Sequence, residues 1–267
     1  MADDTGYETI RYGRRAHVGT LTLNRPAKLN ALNPQMRTEL GHLGTRLAED
    51  DELHCLVVAG AGRSFSAGLD LAEAMTGTLA RFADRDPDDE ETIELGLEVA
   101  GVFEFIPELR CPSVAAVHGH AYGAGLQLAL ACDFRIFAEG ARVGLIEGRY
   151  GLLPDMGATF RLPRIIGEAR ARELILLGEI IDAAEAFRIG LANRIVPDGQ
   201  LDSAVTEFAE RLAAQPPTAV RGARAAIDAG WRLDSATSLR MAVAAQARCL
   251  ASDEFKGVLR PSGSTSR

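Results

Sequence analysis

Two glycine-containing segments carry the residue types that could approach a ligand and stabilise negative charge on it. GRSFSAGLDL runs from Gly62 to Leu71, and HGHAYGAGLQLALACD runs from His118 to Asp133. Each follows a strand-like run, and the second leads into a helical pattern. Glycine lets a backbone come close to a ligand, and the first N–H groups of a helix lack intrahelical acceptors. The segments therefore predict backbone donors aimed at negative charge, although glycines before a helix also serve close packing.

Other chemistry fits these segments less well. The second segment does not spell the GxGxxG of a dinucleotide-binding turn, and neither Ser64 nor Ser66 lies in the GxSxG of a hydrolase nucleophile. His118 and His120 place two imidazoles on one side of a strand-like stretch, but no third ligand follows at a convincing spacing. We therefore predict no metal site, and we expect the two histidines to pack or form hydrogen bonds.

Four segments together resemble the signature segments of the enoyl-CoA hydratase/isomerase (crotonase) family. Two are SFSAGLDL and GHAYGAGLQLALACD, about fifty residues apart. NRPAKLNAL (Asn24 to Leu32) is similar to that family's coenzyme A segment, and EGRYGLLPDMGATFRLPRIIG (Glu147 to Gly167) is similar to its catalytic segment. The resemblance covers residues 7–255. It implies an α/β fold, a crotonase-like spiral of ββα units with a C-terminal helical trimerisation region, and an acyl-coenzyme A thioester as substrate.

Carried over by position, the resemblance implies an oxyanion hole made by the backbone N–H groups of Leu69 and Ala124. Such donors stabilise the enolate that forms when the carbon next to a thioester gains or loses a proton. Further positions of the same segments are expected to contact coenzyme A: Arg25, Lys28, Ser66, Ala67, Gly68 and Asp70. Arg25 and Lys28 are the candidates for its phosphates, with an ordinary surface charge as the alternative for each. Phe255 and Lys256 are weaker candidates that could reach the coenzyme A of a neighbouring subunit.

The carboxylates decide which reaction the resemblance implies. Family hydratases use two glutamates, and their positions fall here on Gln127, which cannot exchange a proton near neutral pH, and on Glu147, which matches. Asp155 follows Glu147 by eight residues, where some family isomerases carry an aspartate. Two close carboxylates in a dry tunnel have separated pKa values, so one can take a proton while the other returns it elsewhere. Capping of the turn after Pro154 is the alternative for Asp155.

Three functions remain open on this basis. The favoured one is isomerisation of an unsaturated fatty acyl-CoA by Glu147 with Asp155. The second is hydration of a 2-enoyl-CoA, in which Glu147 activates water that Gln127 positions. The third is an acyl-CoA-binding protein without turnover. None of them implies a metal or a cofactor, since coenzyme A belongs to the substrate.

The elements that must position these residues follow from the pattern along the chain. Ile10 to Arg15 and His17 to Asn24 read as a hairpin with Gly13 near its turn, and Asn33-Pro34 as the start of a helix. The nearly continuous apolar runs LHCLVVAG and CPSVAAVHG are typical of strands buried on both faces. Their alternation with helices indicates an α/β fold with a largely parallel sheet.

Helical patterns dominate after Leu162. LPRIIGEARARELILLG, DAAEAFRIGL, Leu201 to Leu212 and Thr218 to Leu250 each read as a helix, and LANRIVP as a strand between them. We therefore divide the chain into a spiral core, residues 1–195, and a C-terminal helical region, residues 196–267. The second region is expected to assemble a homotrimer or homohexamer.

Composition indicates which partners and which cellular compartment fit the protein. A formal net charge of −8 argues against nucleic acid as a partner, and no apolar run reaches the length of a membrane span. Four scattered cysteines without a CxxC pair and an acidic, polar N-terminus indicate a cytoplasmic protein with reduced thiols. Asp84 to Glu94 carries seven acidic residues in eleven positions, which predicts a solvated surface loop, with a lid over a ligand tunnel as the alternative.

Overall fold

A computed structural model describes residues 2–4, 6–77, 79–82 and 84–259. Ten strands lie within these ranges: β1 (Ala2–Asp4), β2 (Ile10–Arg15), β3 (Val18–Leu23), β4 (Cys55–Gly60), β5 (Ser113–Val117), β6 (His120–Tyr122), β7 (Phe134–Ala138), β8 (Arg142–Gly144), β9 (Ile180–Asp182) and β10 (Arg194–Val196). The α-helices are α1 (Pro34–Ala48), α2 (Leu71–Thr76), α3 (Glu90–Ala100), α4 (Phe105–Glu108), α5 (Ala124–Ala131), α6 (Ala158–Ile166), α7 (Glu168–Leu177), α8 (Ala183–Arg188), α9 (Leu201–Ala213), α10 (Pro217–Gly230), α11 (Ser235–Ala251) and α12 (Asp253–Leu259). Short 3-10 helices connect several of them.

The strands form a seven-stranded and a three-stranded sheet. The larger has the order β1-β2-β3-β4-β5-β7-β10, with the first three strands antiparallel and every later pair parallel. The smaller has the order β6-β8-β9. The predicted α/β class with a largely parallel core is confirmed. Strand β6 follows β5 after two residues, so the chain passes directly from the large sheet to the small one.

The large sheet is buried on both faces because its central strands place apolar side chains alternately on each side. In β4, Leu56 and Val58 belong to the core cluster that also holds the apolar face of α1, whereas Cys55 and Val57 pack with Leu201 and other residues of α9. This explains the continuous apolar run of that strand. Helix α9 therefore covers one face of the large sheet.

Several local predictions are confirmed. Asn33 caps α1, since its side-chain Oδ1 accepts a hydrogen bond from the Met36 N–H at 2.9 Å, and Pro34 is the first helical residue. Strand β10 occupies the LANRIVP segment, and α9 matches the helix predicted from Leu201.

Other local predictions were wrong. Gly13 is not at the turn of the first hairpin: it pairs with Thr20 inside the ladder, and the chain turns at Ala16, whose φ is 49°. The acidic segment is not a loop throughout, because α3 begins at Glu90. Gly167, with a φ of 82°, divides one predicted helix into α6 and α7. The last predicted helix is two, α10 and α11, with the second capped by Asp234.

Candidate functional site

The two glycine-containing segments lie side by side next to the end of β6. Ser66 forms a parallel bridge with Ala121, in which the Ser66 N–H donates to His120 O and the Tyr122 N–H donates to Ser66 O. Gly68 has a φ of 95°, and a Cβ on it would lie 2.7 Å from Tyr122 O. Only glycine combines this backbone conformation with so close a contact. The juxtaposition predicted from the sequence is therefore present.

The backbone at Leu69 and Ala124 supplies the two expected donors. Leu32 donates to Gly68 O at 2.7 Å and accepts from the Asp70 N–H at 2.8 Å, so in this parallel bridge the N–H of Leu69 points away from Leu32. Ala124 is the first residue of α5, and its N–H has no intrahelical acceptor. A Cβ on Gly68 would lie 3.6 Å from the Ala124 nitrogen, which places the two donors in neighbouring backbone.

Gln127 is buried on α5 and both ends of its amide are bound. Its Nε2 donates to Glu147 Oε1 at 2.8 Å, and its Oε1 accepts from the Ala158 N–H at 3.2 Å, at the start of α6. These two partners fix which end of the amide faces Glu147, because a carboxylate accepts and a backbone N–H donates. Gln127 therefore holds one oxygen of Glu147 in place.

Glu147 opens a short 3-10 helix, Glu147–Tyr150, and is partly buried. Its other oxygen, Oε2, is buried and has no hydrogen-bond partner among the described residues. Burial raises the pKa of Glu147, the Gln127 hydrogen bond opposes this rise, and the charge of Asp155 adds to it. Glycine is required at 123, since a Cβ there would lie 3.3 Å from Glu147 Oε1 and the residue has a φ of 50°. Glu147 is therefore a carboxyl group that can hold a proton above its ordinary pH range.

Asp155 lies in the turn that precedes α6 and lines the same cavity as Glu147. Desolvation raises its pKa as well. Unlike Glu147, Asp155 remains exposed at the surface of the chain. The pair thus combines a shielded carboxyl group with one that can exchange protons with solvent.

All five residues predicted to be catalytic line one cavity of about 500 Å³: Leu69, Ala124, Gln127, Glu147 and Asp155. Most of the remaining wall is apolar: Leu71, Leu79, Val99, Ile146, Tyr150, Leu152, Leu153 and Met156. Leu153 is 63 % exposed and Tyr150 57 % exposed, so this side of the cavity is open. An apolar chamber with a few polar groups at one place suits a ligand with a reactive polar centre and an apolar tail.

The wall residues were not predicted from the sequence. They come from three separate parts of the chain: α2 with the 3-10 helix after it, α3, and the segment from Ile146 to α6. The acidic segment leads into α3, which contributes Val99, and none of the lining residues found in the described part of the chain belongs to Asp84 to Glu94. One feature of the sequence could have indicated this wall: the largely apolar run Tyr150 to Leu153, which begins three residues after Glu147.

The residues predicted to contact coenzyme A divide into two groups. Ala67 and Gly68 line the cavity, and Lys28 is exposed nearby. Arg25 and Asp70 instead form an internal ion pair at 3.1 Å, and Arg25 also binds Glu73 at 2.9 Å. Burial alone raises the pKa of Asp70, but the Arg25 guanidinium outweighs it and holds that pKa below its ordinary value. Arg25 thus has protein carboxylates where a phosphate was predicted.

Ser66 also has a structural partner. Its buried hydroxyl donates to Asn30 O at 2.9 Å and accepts from the Gly68 N–H at 3.2 Å. These bonds hold the bend that exposes the Leu69 N–H. The contribution of Ser66 to a ligand site therefore comes through its backbone.

Two histidines and two cysteines outside this cavity are side chains of the types that bind metals or act as nucleophiles. His120 Nδ1 lies 3.1 Å from Ser64 Oγ, and His118 Nε2 lies 3.0 Å from Gly62 O, which agrees with the predicted hydrogen-bonding role. Within the described part of the chain, no group of three or more His, Cys, Asp or Glu residues could hold a metal ion. Burial raises the pKa of the Cys111 and Cys132 thiols to about 12, so neither is a thiolate near neutral pH.

Comparisons with known proteins agree with this geometry. The family model described as "Enoyl-CoA hydratase/isomerase" matches residues 13–263. A probable enoyl-CoA hydratase of Mycobacterium bovis is 38 % identical over 222 residues, which cover 83 % of this chain and 82 % of that protein. The crystal structure of an enoyl-CoA hydratase from Bacillus anthracis superposes with a TM-score of 0.84 at 35 % identity, covering 94 % of this chain and 95 % of that one.

A third similar protein was solved with a ligand. It is a putative enoyl-CoA hydratase from Thermobifida fusca in complex with acetoacetyl-CoA, with a TM-score of 0.81 and 33 % identity. The alignment covers 91 % of this chain and 95 % of that chain. Among the described residues of the present chain, no helix is long and apolar enough to cross a membrane.

Proposed function

The chain belongs to the enoyl-CoA hydratase/isomerase family, and from this premise we propose that it moves a carbon–carbon double bond in an unsaturated fatty acyl-CoA. Membership makes it an enzyme of the hydratase/isomerase class. The observation that carries the finer proposal is the composition of the cavity: Glu147 and Asp155, both with raised pKa values, share it with an amide at position 127.

The proposed reaction begins with the thioester oxygen between the N–H groups of Leu69 and Ala124. The Glu147 carboxylate removes a proton from the carbon next to the thioester of a 3-enoyl-CoA, and the electron pair spreads over the enolate and the double bond. Asp155, in its protonated form, returns a proton two carbons further along, so the double bond moves next to the thioester. The exposed position of Asp155 lets solvent restore the starting protonation states.

Gln127 acts in this scheme as a positioning residue. Its amide cannot give up a proton near neutral pH, but it holds Glu147 Oε1 and leaves Oε2 for proton exchange. A glutamate at 127 could offer this hydrogen bond only in its protonated form. The amide therefore allows Glu147 to be held while it is ionised.

Hydration of a 2-enoyl-CoA is the second candidate, favoured by the similar proteins that are named hydratases. In that reaction Glu147 would activate a water molecule, which Gln127 could help to hold. Asp155 would then have no necessary role. The two candidates consequently differ in their dependence on Asp155.

Mass spectrometry of 2-enoyl-CoAs and 3-enoyl-CoAs incubated with the enzyme in heavy water separates these functions. The proposal expects a moved double bond with deuterium incorporated and no water added. Glu147→Gln should reduce turnover at least a hundredfold, and Asp155→Asn should reduce isomerisation on a similar scale. A hydrated product insensitive to Asp155→Asn would establish the second candidate, and tight binding without product would indicate an acyl-CoA-binding protein. Asp198→Asn, outside the cavity, is the control.

We also propose that the chain works as a homotrimer or homohexamer. The support is a set of exposed apolar side chains on the C-terminal helices and on the turn between α10 and α11: Ile227, Trp231, Leu233, Leu239, Met241, Val243, Leu250, Val258 and Leu259. Apolar surface of this extent is typical of a contact between proteins.

A further inference from the structure

The catalytic cavity has a small neighbour behind one of its walls. A pocket of about 20 Å³ lies among Leu32, Asn33, Pro34, Arg37 and Ala74. It shares three lining residues with the large cavity: Leu69, Leu79 and Val99. A space of this size holds about one or two water-sized groups. The two spaces thus have a common wall at these three residues.

The wall at Leu79 and Val99 lies at the closed end of the cavity. Both residues are partly buried, whereas Leu152, Leu153 and Tyr150 on the other side are exposed. An apolar acyl tail loses most contact with water when it enters the closed end. This end, between Leu69 and the side chains of Leu79 and Val99, is therefore the part of the cavity that suits an acyl tail.

Arg37 lines the small pocket but not the large cavity. It is partly buried on α1, and burial lowers its pKa, with Glu98 opposing and Arg81 adding to that shift. Covering a charged guanidinium with a methyl group removes its remaining contact with water, which costs free energy. The small pocket is therefore a dead end with room for a fixed, small number of carbons.

We propose that Leu79 and Val99 form a partition that sets the length of acyl chain the enzyme accepts, with Arg37 as the end of the space behind it. This inference rests on the proposed function, since it assumes an acyl-CoA substrate in the large cavity. Chains that end at the partition fit without rearrangement. Chains one or two carbons longer must move the two side chains to reach the small pocket.

The test is the ratio of kcat/KM for longer and shorter unsaturated acyl-CoAs, measured over a series that differs by two carbons per step. Leu79→Ala and Val99→Ala join the two spaces and should raise the ratio of long to short about tenfold, since one methylene in an apolar pocket is worth roughly 10- to 200-fold. Val99→Phe fills the partition and should lower the same ratio. Leu97→Ala is the matched control, because Leu97 lies on the same helix but is 58 % exposed and does not line the cavity.

The outcomes are distinguishable from those that test the reaction. An unchanged ratio in all three partition variants, with thermal stability retained, overturns the partition, as does an equal change in Leu97→Ala. The ratio is scored for whichever product forms. A hydrated product with a shifted ratio therefore rejects isomerisation and supports the partition, while a moved double bond with a constant ratio does the reverse.

Discussion

Glu147 illustrates how one residue type takes its properties from its neighbours. Its carboxyl group has lost water by burial, accepts a hydrogen bond from Gln127, and lies near the negative charge of Asp155. Burial and the like charge favour the protonated form, and the hydrogen bond favours the ionised form. A raised pKa is the net result, which moves the proton exchange of this group towards the pH at which an enzyme works.

Asp155→Asn should change the shape of the pH profile of the remaining activity. The proposed reaction needs Glu147 ionised and Asp155 protonated, so wild-type kcat/KM should rise as the pair loses its first proton and fall as it loses its second. Because the pKa values of both groups are raised, the falling limb lies above the ordinary range of a carboxyl group. An asparagine has no proton to lose, so the residual activity of the variant should rise with the ionisation of Glu147 and then stay level. Plots of log kcat/KM against pH for wild type and variant show the two shapes. A falling limb that remains in the variant, or that is lost equally in Asp198→Asn, contradicts this role of Asp155.

Glu147→Gln should stabilise the protein near neutral pH. A carboxyl group with a raised pKa in the folded state binds its proton more tightly there than in the unfolded state. Its contribution to stability is therefore full below the unfolded pKa, near 4.3, and is lost as pH rises through the folded pKa. The amide has no such loss. Thermal unfolding should show a higher Tm for the variant at pH 7 and similar values for both proteins near pH 4; equal values at both pHs would show that Glu147 is not destabilised by burial.

Side-chain hydrogen bonds join the elements around the site. Gln127 connects α5 to Glu147 and to the first turn of α6, and Asp133 accepts hydrogen bonds from Ser113 and from Arg224 of α10 at 2.7–2.8 Å. These contacts place the small sheet, the large sheet and the C-terminal helices in one arrangement around the cavity. The helix ends therefore matter for the geometry of the site.

Asn33→Ala should lower the free energy of unfolding by about 1 kcal/mol, because it removes the acceptor for the Met36 N–H at the start of α1. Asn33→Ser keeps a capping oxygen and should lose much less. Chemical denaturation of the two variants beside wild type measures the difference. Equal losses would show that the side chain contributes by contacts other than the cap.

Prediction from the sequence succeeded where one short segment decides the outcome. Asn33-Pro34 and the apolar run around Leu56 each contain their own signal, and the predicted helix start and strand are both present. It failed at Gly13, where a glycine lies in a strand and Ala16 takes the positive φ of the turn. Glycine adopts the backbone conformation of a turn easily, but the turn can still form at another residue of the same segment.

The same distinction holds for the site. Leu69, Ala124 and Glu147 lie in segments with a recognisable pattern, and the structure brings them to one cavity. The partner of Arg25 depends on Asp70 and Glu73, and the partition depends on α3 meeting the segment after α2. Contacts between segments distant in sequence have no local signal, so neither could be predicted.

At the scale of the whole molecule, apolar surface is concentrated at the C-terminal end. Leu239 is 66 % exposed and Val243 61 % exposed, and both lie on α11. Apolar side chains left exposed on an amphipathic helix have not found their packing partner within the chain. A second copy supplies such a partner in a symmetric assembly.

Light scattering should therefore give the mass of three or six chains for wild type. Val243→Glu places a charge in the contact and should shift the mass towards that of one chain. Thr206→Glu, which adds the same charge at an exposed position of α9 outside this apolar set, is the control. A wild-type mass of one chain, or dissociation in both variants, would reject this surface as the contact.

The hydrogen bond that Gln127 donates to Glu147 has a stereochemical consequence. An enolate is planar, and a proton can reach its α-carbon from either of two faces. In the proposed reaction, the N–H groups of Leu69 and Ala124 fix the thioester oxygen and Gln127 fixes the carboxyl group, so Glu147 meets the plane from one side only. Deuterium exchanged at that carbon through Glu147 would occupy a single prochiral position, and the label would record the handedness of the site.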